Sequence, residues 1–333
     1  MKYSIIVAVY NRPDEVAELL ESLVAQTYRD FEVVIVEDGS AVPCKDVCDR
    51  YTDRLTIRYH SKPNSGPGLS RNYGCRRAVG DYFIFLDSDC MAPPGYLAAI
   101  DTAVERLRLD AFGGPDREHP SFSITQKAIS HAMTSLLTTG GIRGGTVRTG
   151  GTFHPRSFNM GISQRVFHAT DGFGRMRFGE DVDFSMRIIE AGFSTGLIPD
   201  AWVYHKRRTN LWKFFKQVHN SGIARINLSF LHPGTLKLTH FFPAAFTVYL
   251  LVALLYTALL PYGFYALMPP ALYLGLVALE GTVRSKNLAV GLWSIAATLV
   301  QHCAYGTGFM KSVVRRAIFG QPAEHSFEKT LYD

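Results

Sequence analysis

Charge is scarce in this sequence. Asp, Glu, Lys and Arg make up 19% of its 333 residues, against about a quarter in an ordinary soluble domain. The shortage is local. No charged residue occurs from Leu238 to Leu279, and none from Asn287 to Met310. Uncharged apolar runs longer than about 18 residues are membrane-span candidates. The chain therefore divides into a charged globular part and an apolar end. Cysteine is also sparse. Cys44, Cys48, Cys75, Cys90 and Cys303 form neither a zinc spacing nor a disulfide framework, so they read as reduced, mostly buried thiols. The first apolar stretch stops at Asn11-Arg12-Pro13-Asp14, too soon for a signal peptide. The globular part is expected to begin at residue 1, in a reducing compartment. Disordered, collagen-like and coiled-coil chains are excluded by the 47% hydrophobic content.

Acid is outnumbered by base, 29 residues to 35, for a net charge of +6. Arg143, Arg148, Arg156, Lys206, Arg207, Arg208, Lys213 and Lys216 all precede the apolar end. Such a face suits anionic lipid or nucleotide phosphate. No DNA- or RNA-binding module accompanies it, so a nucleic-acid partner is not expected.

The first hundred residues alternate strand and helix. Ser4–Tyr10 is a continuous apolar run, the pattern of a strand buried on both faces. Asn11 follows as an N-cap candidate, Pro13 suits a first helical turn, and Val16, Leu19, Leu20, Leu23 and Val24 recur at helical spacing. Further strands are predicted at 31–36, 55–59 and 82–86, with a helix over 66–79. This rhythm means a mostly parallel α/β sheet with helices on both faces. Its ligands belong at the carboxyl ends of the strands. Beyond it come a glycine-rich loop at 138–152, a helix over 180–191 and a basic helix over 211–228 suited to a membrane surface. The expected division is a catalytic domain at 1–230, a membrane region at 231–316 and a polar tail at 317–333. Two or three apolar helices are expected in the membrane region, three by length. The positive-inside rule places Arg284, Lys286 and the globular part on the cytoplasmic face of a membrane, a bacterial inner membrane in the first instance.

Acidic clusters sit where the strands end. Asp87-Ser88-Asp89 offers two carboxylates that can share a divalent cation, or divide between a cation and a ribose. Glu37-Asp38-Gly39-Ser40 can accept from a nucleobase or a ribose hydroxyl. Asn64-Ser65-Gly66-Pro67-Gly68 leads into a helix carrying Arg71 and Asn72, an arrangement that receives phosphate. No Gly-Lys-Ser/Thr follows, so it is not a Walker loop. Glu180-Asp181 opens a helix and can present a general base. His205 can be a metal ligand, and the Lys206-Arg207-Arg208 run can neutralise a diphosphate.

In this order the motifs I-I-V-A-V-Y-N-R, V-V-I-V-E-D-G-S, N-S-G-P-G-L-S-R-N, F-L-D-S-D and G-E-D-V-D-F-S-M-R resemble those of the family 2 glycosyltransferases. The resemblance covers roughly residues 1–230. It implies a GT-A fold, a nucleotide-diphospho-sugar donor (a UDP-sugar first), Mn²⁺ or Mg²⁺, and inversion at the anomeric carbon. Carried over residue by residue, Val9, Tyr10, Glu37 and Asp38 would surround base and ribose. Asn64, Arg71, Arg207 and Arg208 would lie along the donor. Asp87 would serve the ribose or metal side, and Asp89 and His205 the metal. Asp181 would be the base, and Glu180 would position acceptor or base. The Q-x-x-R-W of processive synthases is missing, so single-sugar addition is expected. The acceptor would be a hydroxyl of a glycan or lipid-linked acceptor beside membrane lipid. A polyprenyl-phosphate acceptor is the second reading. A relict scaffold is disfavoured by the retained carboxylates, and a nucleotidyltransferase by Tyr10-Asn11-Arg12-Pro13 in place of a glycine-rich loop.

Overall fold

The computed structural model describes residues 2–140, 153–176 and 178–322. Most of the glycine-rich loop, with Arg143 and Arg148, and most of the polar tail lie outside the described residues. The chain forms two compact units, one built from 2–119 and 153–206 and the other from 120–140 and 207–322.

Among the described residues the first unit contains ten strands and six helices. Its large sheet contains β1 (Tyr3–Val9), β2 (Phe31–Asp38), β3 (Ile57–Lys62), β4 (Tyr82–Leu86), β6 (Ala111–Gly113), β8 (Asn159–Ser163) and β9 (Thr195–Leu197). Their order is β3-β2-β1-β4-β8-β6-β9. β1 to β4 are parallel, and β8 enters antiparallel to both β4 and β6. A second sheet joins β5 (Cys90–Met91), β10 (Val203–His205) and β7 (Asp116–Arg117). The helices are α1 (Pro13–Val24), α2 (Lys45–Asp49), α3 (Pro67–Cys75), α4 (Tyr96–Leu107), α7 (Gln164–Thr170) and α8 (Glu180–Glu190).

β1 and β2 are apolar almost throughout because both of their faces are covered. Val16, Leu19, Leu20 and Leu23 of α1 join Tyr96, Leu97 and Ile100 of α4 on one face. Phe167, Phe173, Phe184 and Ile188 close the other. Gly74 lets α3 press onto that second face, since a Cβ there would lie 2.6 Å from Ile6 Cγ2. The chain steps from β1 to β2 and β3, then returns to the opposite side of β1 as β4. The reversal opens a crevice where β1 and β4 end, the position where open α/β sheets bind ligands.

Two local expectations change. The third strand runs over Ile57–Lys62 rather than 55–59, because Leu55 turns into the core. Lys62 thereby lies opposite Asp38. Asn11 does not cap α1. Its φ is 55°, its N–H donates to Ser40 Oγ at 2.8 Å, and its Oδ1 accepts from Val42 N at 3.0 Å. It ties the β1 loop to the β2 loop instead.

The second unit contains α5 (Ile124–Thr134), α6 (Leu136–Thr139), α9 (Leu211–Leu231), α10 (Phe242–Leu259), α11 (Met268–Ser285) and α12 (Leu288–Val313). Three stretches, Leu238–Leu259, Gly263–Ser285 and Leu288–Arg316, are long and apolar enough to cross a membrane. Here the division differs from a boundary after residue 230, because α5, α6 and α9 belong with the apolar helices. Instead of lying apart on a surface, α9 packs along α12. Phe214 and Val218 share a core with Ala297, Ala304 and Ile129, and two glycines bring the backbones close. A Cβ on Gly222 would sit 2.3 Å from Tyr305 O, and one on Gly308 would sit 2.0 Å from His219 O. Small residues at such positions are what let apolar helices associate. Gly222→Leu is therefore expected to separate the pair and cost about 1–3 kcal/mol. A thermal melt of the purified chain in detergent checks this, as a clear fall in midpoint.

Candidate active site

The loops after β2 and β3 are held by buried carboxylates. Glu37 accepts from Cys44 N at 2.7 Å and Tyr59 Oη at 3.2 Å, and from the Ser40 hydroxyl. Asp38 accepts from Ser65 N and Gly66 N, each at 2.9 Å, and pairs with Lys62. The Asn64 side-chain amide donates to Asp38 O at 2.8 Å. Glu37 and Asp38 are each only 1% exposed. They are expected at the base and ribose. In the structure they brace the loops after β2 and β3. Lys62 enters this network without a motif of its own; only the register of β3 shows it. Val9 is buried and Tyr10 half-buried at the end of β1.

The Asp87-Ser88-Asp89 turn follows β4. Asp89 Oδ1 lies 3.2 Å from His205 Nε2, and Asp87 Oδ2 lies 3.9 Å from the same nitrogen. This meeting is fixed by backbone: His205 pairs with Cys90 across β10 and β5, and Lys206 N donates to Asp89 O at 3.1 Å. Phe158 stacks on the imidazole at 4.9 Å, and Asp116 Oδ2 stands 3.9 Å from Nδ1. A carboxylate beside the far nitrogen is the usual way to orient a ligating histidine. Two further cations close the group. Arg12 reaches Asp89 Oδ2 at 3.3 Å and Glu15 at 2.8 Å. Burial opposes its charge, but Glu15 and Asp89 outweigh it and raise its pKa. Buried Arg71 pairs with Asp87 at 2.7 Å and approaches Glu180 at 3.5 Å.

Glu180 and Asp181 open α8 behind Gly179, whose φ of 81° makes the sharp entry. Helix α3 comes close here. A Cβ on Gly68 would lie 3.3 Å from Glu180 Cγ and 3.1 Å from Phe173 Cβ. Burial, then the Asp181 charge, pushes the Glu180 carboxyl up to about 7, with Arg71 opposing. Asp181 accepts from Arg156 Nε at 2.8 Å. The supporting turn is pinned by Asn72, which exchanges two 2.8 Å hydrogen bonds with the Phe173 backbone. Arg187 adds bonds to Thr170 O, Gly172 O and Asp183. Asn72 stands in a motif, but its task was not readable there.

Asp87, Asp89, His205, Arg71 and Glu180 are thus linked by short contacts, with Asp181 next to Glu180 in the first turn of α8. Lys206 is not among them; it pairs with Glu18 at 2.5 Å. Arg207 and Arg208 belong to the second unit, where Arg207 O accepts from Gln126. Asp89, Cys90 and His205 each place a potential ligand atom within 4.8 Å of the others. The Cys90 thiol is a poor member of that set. It points at Phe158 O at 3.5 Å, and burial holds its pKa well above the ordinary value. Carboxylate and imidazole donors remain, and Asp89 with His205, flanked by Asp87, fits a hard divalent cation.

Residues 4–169 match the family model described as Glycosyl transferase family 2. The chain is 41% identical over 88 residues to an uncharacterized glycosyltransferase of Rickettsia felis, covering 26% of this chain and 15% of that protein. It is 38% identical over 93 residues to the poly(ribitol-phosphate) beta-N-acetylglucosaminyltransferase TarS of Staphylococcus aureus, covering 27% and 16%. The chain therefore spans only about a sixth of the length of these curated relatives. Among solved structures it is similar to the mannosyltransferase PcManGT from Pyrobaculum calidifontis in complex with GDP-Man and Mn2+. That likeness has a TM-score of 0.60 at 17% identity, over 94% of this chain and 87% of the other. It speaks for the fold, and the GT-A sheet expected from the motifs is the sheet observed.

Proposed function

The chain belongs to glycosyl transferase family 2, and from that premise we propose that it moves one sugar, with inversion, from a nucleotide-diphospho-sugar to an acceptor hydroxyl at a membrane surface. The observation that carries this is the linked series His205–Asp89 and Asp87–Arg71–Glu180, with Asp181 beside it on a rigid helix end. Base and ribose would sit between Val9, Tyr10 and the loops braced by Glu37, Asp38 and Asn64. Asp89 and His205 would hold Mn²⁺ or Mg²⁺, with Asp87 on the ribose or metal side. A cation bound there supplies positive charge for the departing nucleoside diphosphate. Asp181 accepts the proton of the attacking hydroxyl. Glu180 and Arg71 fix that end of α8 relative to Asp87, and so relative to the donor. Three apolar helices would keep the acceptor close, with the catalytic unit on the cytoplasmic side.

A hydroxyl acceptor needs a base, whereas a lipid phosphate is already ionised. The paired carboxylates favour the hydroxyl, of a glycan or a lipid-linked glycan. Offering a labelled nucleotide sugar to glycan-bearing lipid and to bare polyprenyl phosphate separates the two. Transfer to the hydroxyl acceptor alone is expected; exclusive transfer to phosphate would reverse the assignment.

Glu180 gives a pH prediction. Its carboxyl sits near 7, above its ordinary 4.5, so it ionises late. Transfer should rise with pH through about 7, and Glu180→Gln should flatten that limb. Stability should move the other way. The folded chain holds this proton more tightly than the unfolded chain, so the group's contribution is complete below about 4.5 and is lost as pH rises through about 7. Paired pH series of initial rate and melting midpoint check both signs.

A further inference from the structure

In the second unit, the end of α12 runs beside the last turns of α9. A cleft between them is lined by Ile223 and Asn227 of α9 and by Lys311, Ser312, Arg315 and Arg316. Arg316 donates to Asn227 Oδ1 at 2.9 Å and lies 4.3 Å over the Phe230 ring. Its Nε is buried with no hydrogen-bond partner. The half-buried guanidinium is thus oriented while its buried Nε–H lacks an acceptor, which is costly. From residue 207 to 322 the sequence holds one acid, Glu280, against eleven Lys and Arg, and Glu324, Glu328 and Asp333 follow. Glu280 is already engaged by Arg284 at 3.2 Å and by the Ser135 hydroxyl.

Apolar side chains stand exposed in the same turns. Leu231 ends α9 and is 56% exposed; Ile318 and Phe319 follow α12 and are 66% and 67% exposed. In water such residues are a liability. At a membrane interface they enter the acyl boundary while neighbouring cations meet anionic headgroups. A soluble anion would use the cations and leave these side chains without a purpose.

We propose that this cleft seats the phosphate of an anionic membrane phospholipid. Arg316 would donate to the phosphate from Nε, Lys311 and Arg315 would add charge, and Leu231, Ile318 and Phe319 would lie among the acyl chains. The site is separate from the donor crevice, and the proposal does not depend on the sugar or the acceptor.

The test uses the purified full chain in neutral detergent, melted with short-chain phosphatidylglycerol, short-chain phosphatidylcholine or inorganic phosphate. Phosphatidylglycerol is expected to raise the midpoint at concentrations about tenfold below those phosphatidylcholine requires, and the effect should weaken with added salt. Lys311→Gln with Arg316→Gln should weaken the phosphatidylglycerol response about 25-fold, about 5-fold per charge removed, and leave the phosphatidylcholine response unchanged. Lys311→Gln with Arg315→Gln, which spares the contacts to Asn227 and Phe230, should act in the same direction if the first variant does not fold. Equal responses to the two lipids, an unchanged response in the variants, or an equal response to inorganic phosphate would each overturn the proposal.

Discussion

Asp181→Asn is expected to lower sugar transfer to a hydroxyl acceptor by about 10²–10⁴-fold, the usual range for removing a general base. Donor binding should change little. Asn matches Asp in shape and can still occupy the first turn of α8, but it cannot take the proton. Its contact with Arg156 weakens, yet Arg156 is 40% exposed and has water as an alternative partner. With its cationic partner open to water, this ion pair contributes modestly to stability. The variant should therefore melt close to the parent chain. Kinetics read the outcome as a fall in kcat with KM for the donor nearly constant. A large loss of donor affinity would instead make Asp181 a binding residue.

Asp89→Asn should do the reverse. Nucleoside diphosphate binding in the presence of Mn²⁺ is expected to fall by about 100-fold or more, while the weaker binding expected without the ion should stay the same. Asp89 faces His205 Nε2 at 3.2 Å and Arg12 at 3.3 Å. Replacing it would remove the anionic ligand proposed for the cation and leave Arg12 paired with Glu15. Loss of even an orienting partner of a metal ligand typically costs 10–100-fold, and loss of the ligand itself should cost more. Calorimetric titration of nucleoside diphosphate, with and without Mn²⁺, in the parent and the variant, resolves the difference. His205→Ala should resemble Asp89→Asn, whereas Asp116→Asn, acting through the imidazole, should give a smaller loss.

Much of the sheet, and many of the polar side chains that gather at its carboxyl edge, could be read in advance, and for one physical reason. Doubly covered parallel strands are written as unbroken apolar runs, and the residues that follow them are free to carry chemistry. β1, β2 and β4, with the acidic clusters after β2 and β4, are legible on that basis. The functions of particular side chains were less so. Glu37 and Asp38 look like ligand contacts because carboxylates at strand ends usually are. Only the fold shows that their oxygens are taken up by the loop backbone, Tyr59 and Lys62. Arg12 lies in a quoted motif, but nothing local shows that it reaches Asp89 across 77 positions of sequence. The basic helix α9 reads as a surface helix because its cations are conspicuous. Gly222 and Gly308, which dock it on α12, carry no signal until the backbones are seen to touch.

One measurement bears on all of this. The purified full chain is incubated with Mn²⁺ and a panel of UDP- and GDP-sugars, and release of nucleoside diphosphate is followed alongside transfer to a glycan-bearing lipid. At least one donor is expected to be turned over, with transfer exceeding hydrolysis, and Asp181→Asn is expected to abolish the transfer. A folded chain that turns over none of the donors, and binds no nucleoside diphosphate with Mn²⁺ present, would contradict the assignment.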